Sequence, residues 1–445
     1  ALVLATVRCI RRLLSVSELC DKFMKMEGVS RVFSVMKSFK SMDILQAALE
    51  IIDIVMPKDE AYVRRLLIEY SDNLLGMLPE CGEYTSLLAT TLKLLCSVHR
   101  DVHAKLVVHL DALCSLAVQF ATSKEIVRYV YSLLCEVAED ADDGLLQRMH
   151  DLQVTKATIE SIASNRTSKS MVKSTTSLMA ALVANKEAAE TFANADTILM
   201  LNEICLSNLK KPEITLNVIS VLIKLAENEA CARVMNDNGI IQTTSQTLNL
   251  CADNNDLVIA CLYLLNNLAM FDNYKAFAET HLIQDCAKLL EKHVKYAVDN
   301  VRTAESDAAV HIVILSLKLL CAMVPCDERR EQYRRAGLVK MTKYILTHFN
   351  HEDQVFNYAA LLLRELAVEE DIRQEIFDNS GLDAILEAMQ NYPDMLECQM
   401  TGCVFLSLVL RNRKTYRDLV ERDVVILILE ALRHHPDNAE LCKEA

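Results

Sequence analysis

Leu257-Val258-Ile259-Ala260-Cys261-Leu262-Tyr263-Leu264-Leu265-Asn266-Asn267-Leu268-Ala269 is apolar at spacings of three and four and contains neither glycine nor proline. That spacing, kept up over a window longer than most strands, predicts a helix. Working outward, a short junction, Asn238-Gly239-Ile240, precedes it, and Ala336-Gly337-Leu338 and Ser380-Gly381-Leu382 share its form. Glycine supplies the left-handed backbone or close approach needed where one short helix turns sharply into the next. Each junction opens a helix of about ten residues, as at Leu338 to Leu346 and Leu382 to Met389. A polar break follows (His348 to Asp353, Asn391 to Asp394), then a longer run such as Val355 to Ala367, then a charged short helix such as Glu370 to Asp378.

Junctions fall near Gly28, Asp72, His109, Leu152, Asp196, Gly239, His281, Gly337, Gly381 and Asp423, at intervals of 37 to 44 residues except for 56 between His281 and Gly337. The unit is therefore three helices in about 42 residues. The long interval carries an insertion, His293 to Ala309, predicted to project as a loop or an extended helix. No single unit can bury its apolar faces alone, so stacked neighbours must share the core.

Composition agrees. The 445 residues are 52% hydrophobic, with 8 glycines, 6 prolines and no tryptophan. This suits a large core of helices joined by short links and excludes a disordered or collagen-like chain. A net charge of -14, from 61 acidic and 47 basic residues, disfavours duplex nucleic acid or an acidic membrane across a broad surface. The 16 cysteines lie mostly in apolar runs such as Leu94-Leu95-Cys96 and read as reduced core thiols of a cytoplasmic protein. Ala1 to Leu14 lacks the order of a signal peptide, and no uninterrupted apolar run approaches the ~18 residues of a spanning helix.

The repeat, and above all Ala260 to Ala269 with its divergent counterparts Glu365-Leu366-Ala367 and Lys224-Leu225-Ala226, resembles the armadillo-repeat family, with the HEAT-type repeat close by. The resemblance covers essentially the whole chain and is strongest from about residue 195. It implies an all-α fold: a right-handed superhelical armadillo-like solenoid of about ten three-helix units, incomplete at both ends. Residues 1–445 are then one solenoid segment, with an incomplete first unit at 1–27, divergent repeats at 28–194, more regular repeats at 195–422 and an incomplete last unit at 423–445. Leu2, Val3, Leu4, Val7 and Ile10 would leave an apolar end surface, where further chain or a partner is expected.

The resemblance also implies that third helices line a concave groove. Importin-alpha-like members hold basic peptides there with a ladder of tryptophan and asparagine. Registering the third helices on their apolar positions puts Leu49, Lys93, Ser132, Ser177, Ser220, Tyr263, Lys318, Leu361 and Cys403 at the tryptophan-like position. Four residues later come Asp53, Ser97, Glu136, Ala181, Lys224, Asn267, Ala322, Glu365 and Ser407. Only Tyr263 with Asn267 approximates a rung, and one rung cannot grip a long basic peptide.

The predicted groove is mixed in charge, with Lys224, Lys318 and Glu365 joining Tyr263 and Asn267 as partner-binding candidates. Tyr263, Phe271, Tyr274 and Phe277 form a possible aromatic anchor cluster or a packed repeat junction. Arg329, Arg330, Arg334 and Arg335 could contact an acidic protein tail, such as those of tubulin, unless Asp327, Glu328 and Glu331 compensate them. Arg411, Arg413, Lys414, Arg417 and Arg422 form a second basic cluster, near Asp418 and Glu421.

No motif announces chemistry. His99 and His103 lie four apart on a predicted helical face and His348 and His351 three apart, but no CxxC, HExxH, phosphate-cradling loop or nucleophile elbow accompanies them. No catalytic residue, metal or cofactor is expected, and the chain is not read as an enzyme. Thr155 to Thr176 reads as a polar link followed by a third helix. Asn165-Arg166-Thr167 would be a glycosylation acceptor only in a secretory protein, and phosphorylation near Arg166 or Lys169 would alter local charge pairing.

The expected function is a non-catalytic protein-protein interaction scaffold in the cytoplasm, as a structural component of a cytoskeletal or ciliary assembly. The alternative is a cargo adaptor or nuclear-transport receptor-like peptide-binding protein. Expected partners are proteins, including a multiprotein or microtubule-associated assembly, without direct nucleic-acid binding and without a transmembrane segment.

Overall fold

The computed structural model describes residues 1–271, 277, 280–299, 304–324, 330–349, 352–368, 370–378, 381–410, 419 and 421–444, and all regular structure among them is helical. The chain divides into two compact units, Ala1–Ile204 and Cys205–Ala445. In the first, the third helices Leu2–Leu13, Met42–Val55, Thr85–Ser97, Lys124–Glu139 and Lys169–Leu182 each stack on the next. In the second, Pro212–Leu225, Asn255–Ala269, Ala304–Met323, Asp353–Leu366 and Leu396–Val409 do the same, ending against Ala439–Glu444. Second helices make a layer beside them, as in the series Ile240–Leu250, Leu282–Asp299, Leu338–His348, Gly381–Asn391 and Val424–His434.

Burial explains why stacking is obligatory. In Asn255–Ala269, Leu257, Leu262, Leu264, Leu265 and Leu268 are all at most 1% exposed. Each contributes on the order of 2 kcal/mol when removed from water, an upper figure because unfolded chains already hide part of that surface. Most of those leucines face neighbouring helices, so a lone repeat would forfeit the gain.

The turn from first to second helix has a recurring backbone solution. Glu27, Gln153, Gly239, Gly337 and Asp423 have φ between 51° and 75° and each immediately precedes a second helix. Gly239 and Gly337 meet this demand without a Cβ, whereas Glu27, Gln153 and Asp423 carry strain of about 1 kcal/mol each. Gly28 is therefore not the turn residue that the sequence suggests: Glu27 makes the turn, and a Cβ on Gly28 would lie 2.4 Å from the Phe23 ring. First helices are pinned by side-chain caps, with Asp142 accepting from Leu145 N, Asn185 from Ala188 N and Asn228 from Ala230 N.

One expectation needs correction. Asp72 is not a junction, because Glu60–Met77 runs through it as one helix. The stretch 306–323 is long and apolar enough, by length and composition, to cross a membrane. Here it packs between Asn255–Ala269 and Asp353–Leu366. Ser306, Asp307, His311, Ser316 and Lys318 interrupt its apolar run, in keeping with the expectation that no uninterrupted run reaches that length.

The insertion lengthens two helices, Leu282–Asp299 and Ala304–Met323. The Ser/Thr-rich stretch Thr155 to Thr176 contributes to Val154–Ser164 and Lys169–Leu182. Thr155, Thr158, Ser161, Thr175 and Thr176 within it are buried. Thr158 Oγ1 donates to Thr155 O at 2.7 Å and Thr176 Oγ1 to Val172 O at 2.8 Å, so the helix's own carbonyls satisfy those hydroxyls. Asn165 is 3% exposed and donates to Ser161 O at 3.1 Å, which buries the asparagine of the glycosylation-like sequence while Arg166 and Thr167 stay exposed.

Candidate functional site

A third helix is flanked by its neighbours and by the second-helix layer, so only a narrow strip of it meets solvent. In the first unit that strip includes Gln46, Glu50 and Asp53, then Lys93 and Ser97, then Ser132 and Glu136, then Ser177 and Ala181. Polar side chains bond across layers along it. Arg11 pairs with Glu50, Gln46 Nε2 donates to Ser86 Oγ at 3.2 Å, and Lys93 Nζ lies 2.7 Å from the Asp53 carboxylate. His99 Nε2 lies 3.2 Å from Glu136 Oε2.

In the second unit the strip is built around Tyr263, which is 39% exposed. Its hydroxyl is 2.8 Å from His311 Nε2, and the two rings meet edge to face with centroids 5.5 Å apart. Asn267 Nδ2 donates to Ile223 O at 3.3 Å, while Asn266, buried behind it, donates to Leu262 O at 2.8 Å and Leu315 O at 3.0 Å. Asn267 thus spends a donor inside the protein and keeps its carbonyl oxygen.

The other candidates are dispersed. Lys224 donates to Glu227 at 2.6 Å, Lys318 is exposed, and Glu365 accepts from Arg364 at 2.7 and 3.1 Å. Leu49 and Cys403 are 0% and 1% exposed, so the register that placed them in the groove is wrong for their helices. Tyr263 meets His311 in the next layer; Lys318, assigned to that place, lies seven residues further along, about 10 Å away on the helix.

The first basic cluster stays at the surface but is paired along its own helix. Arg334 Nε and Nη2 donate to Glu331 at 2.8 and 3.0 Å and Arg335 Nε at 3.0 Å. These bonds push the Glu331 carboxyl down to about 2. Arg330 is half-buried, and Arg329 lies outside the described residues, as do Tyr274, His351, Arg411, Arg413, Lys414 and Arg417. Arg422 pairs with Asp383. Phe277 is 4% exposed and Phe271 half-buried.

His99 begins a 3-10 turn that ends at Val102, so it and His103 do not share an α-helical face. Among the described residues no three His, Cys, Asp or Glu side chains gather closely enough to hold a metal ion. Burial pushes the Cys96, Cys114, Cys135 and Cys398 thiols up to about 12, which keeps them protonated and unreactive near neutral pH.

Three concavities draw their lining from several helices each, and only the third, at the apolar end surface of Leu2, Val3 and Ile10, has a counterpart in the sequence. One of about 520 Å³ in the first unit is lined by Arg100, Arg128, Tyr129, Glu136, Glu139, Ser170 and Lys173 among others. One of about 960 Å³ in the second unit carries Asp353, Asp394, Glu397 and Glu440 against Arg364. The third, about 460 Å³ and apolar, lies among Leu2, Val3, Ile10, Phe23, Met26 and Phe39.

No family model matches this chain, and no curated protein matches it. Solved structures do. One, from work on a conserved phosphorylation switch controlling the interaction between cadherin and beta-catenin, aligns over 92% of this chain and 76% of its own with a TM-score of 0.72 at 12% identity. A designed armadillo repeat protein in complex with the peptide (KR)4 aligns over 57% of this chain and 99% of its own, with a TM-score of 0.45 at 12% identity. Three-helix repeats, left-handed turns before second helices and the broad alignment to the first of these structures lead to one conclusion: the chain has an armadillo/HEAT-type all-α solenoid fold.

Proposed function

We propose that the protein is a non-catalytic, cytoplasmic scaffold that holds protein partners on the third-helix face of its repeats, as a structural component of a cytoskeletal or ciliary assembly. The observation that carries this reading is Tyr263. Its ring stands 39% exposed on a helix whose leucines are all buried, braced by His311 and flanked by Asn267. A rigid aromatic with a polar tip beside an amide is the kind of anchor that partners bury at the centre of an interface. The cytoskeletal part of the proposal draws on basic side chains in the first unit, Arg100 and Arg128, which suit acidic protein tails, tubulin's among them.

A second reading, a cargo adaptor or nuclear-transport-like receptor for basic segments, draws on the second-unit concavity, where Asp353, Asp394, Glu397 and Glu440 outnumber Arg364. Asp353, Glu397 and Glu440, however, lie in the first turns of their helices, where they also offset the helix dipole. The scaffold reading therefore stands first. Its test is affinity capture from a native lysate with the wild-type chain and with Tyr263→Ala/Asn267→Ala/His311→Ala. Selective loss of partners by a variant of unchanged helicity supports it; retention of every partner sinks it.

A further inference from the structure

We propose that the first-unit concavity binds an extended acidic peptide, an inference that rests on reading the third-helix face as a partner surface. Three successive layers supply the lining: Arg100 follows Thr85–Ser97, Arg128 and Tyr129 lie on Lys124–Glu139, and Lys173 lies on Lys169–Leu182. Arg100 and Arg128 are exposed and, among the described residues, have no carboxylate within ion-pair distance.

Arg128 is already positioned. Its guanidinium lies over the Tyr129 ring, 4.3 Å from the centroid, and donates to the Tyr129 hydroxyl. A guanidinium held by an aromatic face keeps its remaining N–H donors in a planar fork that matches a carboxylate, and less side-chain entropy is lost when the acid arrives. Two carboxylates, Glu136 (3.2 Å from His99 Nε2) and Glu139, stand against the three bases Arg100, Arg128 and Lys173, so base remains in excess in the lining.

This local excess of base stands in a chain of net charge -14, whose second-unit concavity has the opposite sign. An acidic ligand is therefore drawn to the first concavity and repelled from the second. Packed helices lie roughly 10 Å apart, so three layers span about 20 Å, the length of roughly six residues of extended chain. A short extended segment can touch every layer at once.

The test uses the full 445-residue chain and fluorescence anisotropy with a labelled peptide of alternating glutamate and glycine, beside the same peptide with glutamine for glutamate. The glutamate peptide is expected to bind at low salt and weaken at least tenfold on raising the salt, with the glutamine peptide at least tenfold weaker throughout. Arg100→Gln/Arg128→Gln should lower affinity at least tenfold, Glu139→Gln should raise it, and Lys340→Gln on a second helix should leave it unchanged. Melting temperatures confirm that each variant is folded. No binding of the glutamate peptide, equal binding of the glutamine peptide, or unchanged affinity of a folded double-arginine variant would overturn the assignment. Partner capture by the Tyr263 variants is scored separately, so failure here leaves the scaffold reading standing, and failure there removes the reason to place a partner on this face.

Discussion

Tyr263 and His311 belong to consecutive third helices, and the Tyr263 hydroxyl and His311 Nε2 lie 2.8 Å apart on the solvent side of the contact. A single hydrogen bond at a partly exposed site stabilises by about 1 kcal/mol, so its structural share is small. Tyr263→Phe should therefore lower stability by no more than about 1 kcal/mol in chemical denaturation. Tyr263→Ala combined with Asn267→Ala should weaken a groove-bound partner at least tenfold, read by titration with the captured partner. Affinity equal to wild type would remove this pair from the binding surface.

The left-handed turns make a paired prediction about stability. A Cβ on Gly337 would meet nothing within 4 Å, so its cost is that of the backbone at φ 71° alone. Gly337→Ala should destabilise by about 1 kcal/mol. Gln153, at φ 67° in the same place of another repeat, already bears that strain. Gln153→Gly should leave stability unchanged or raise it by a few tenths of a kcal/mol, because relief of strain offsets the added chain entropy. Melting curves of the two variants should move in different directions or by clearly different amounts.

Close packing gives a second contrast between glycines. A Cβ on Gly402 would sit 2.3 Å from Met389 Sδ and 2.7 Å from its Cγ, and Met389 is only 2% exposed. Gly28 faces the Phe23 ring, which is half-buried and borders the apolar concavity into which it can swing. Gly402→Ala is expected to cost about 1–3 kcal/mol by overpacking. Gly28→Ala should come closer to neutral, since alanine's helix propensity offsets a smaller strain. A reversed order in urea midpoints would contradict the packing argument.

His293 supplies the pH dependence. It is 3% exposed on Leu282–Asp299, its Nε2 has no hydrogen-bond partner among the described residues, and burial, helped by nearby Lys292, pushes its pKa down to about 4. Unfolded, the imidazole regains an ordinary value near 6.5. Between those values the unfolded chain binds the proton that the folded chain refuses. Stability from this group is complete above about pH 6.5 and is lost as pH falls toward 4. Wild type should lose on the order of 2 kcal/mol more than His293→Leu between pH 7 and 4.5, measured by chemical denaturation. Identical pH profiles would contradict the buried neutral imidazole.

How far the sequence could be read depended on which signal each position carried. Asn238-Gly239-Ile240 and Ala336-Gly337-Leu338 announced their turns because glycine is the residue such backbone favours, and both adopt positive φ. Glu27, Gln153 and Asp423 make the same turn without that marker, while Asp72 lies where ordinary helix-compatible residues let Glu60–Met77 continue.

The outward strip was harder to read. Third helices are apolar on several faces, so their periodicity does not single out the solvent side. In Leu396–Val409, Cys398, Gln399, Thr401, Gly402, Cys403, Phe405, Leu406, Leu408 and Val409 are all buried, and Cys403 was assigned to the groove on a pattern that fits more than one register. The insertion at His293 to Ala309 shifts the neighbouring register, which is why His311 rather than Lys318 meets Tyr263. The concavity around Arg100, Arg128 and Lys173 has no sequence signature, since it exists only once three layers are stacked.

The most direct test of the third-helix face as the partner surface is crosslinking mass spectrometry on partner complexes captured near native conditions. The account predicts crosslinks from Lys93, Lys224 and Lys318 to the partner, all three on third helices. Crosslinks confined to Lys340 and Lys343, on the second helix Leu338–His348, would contradict it.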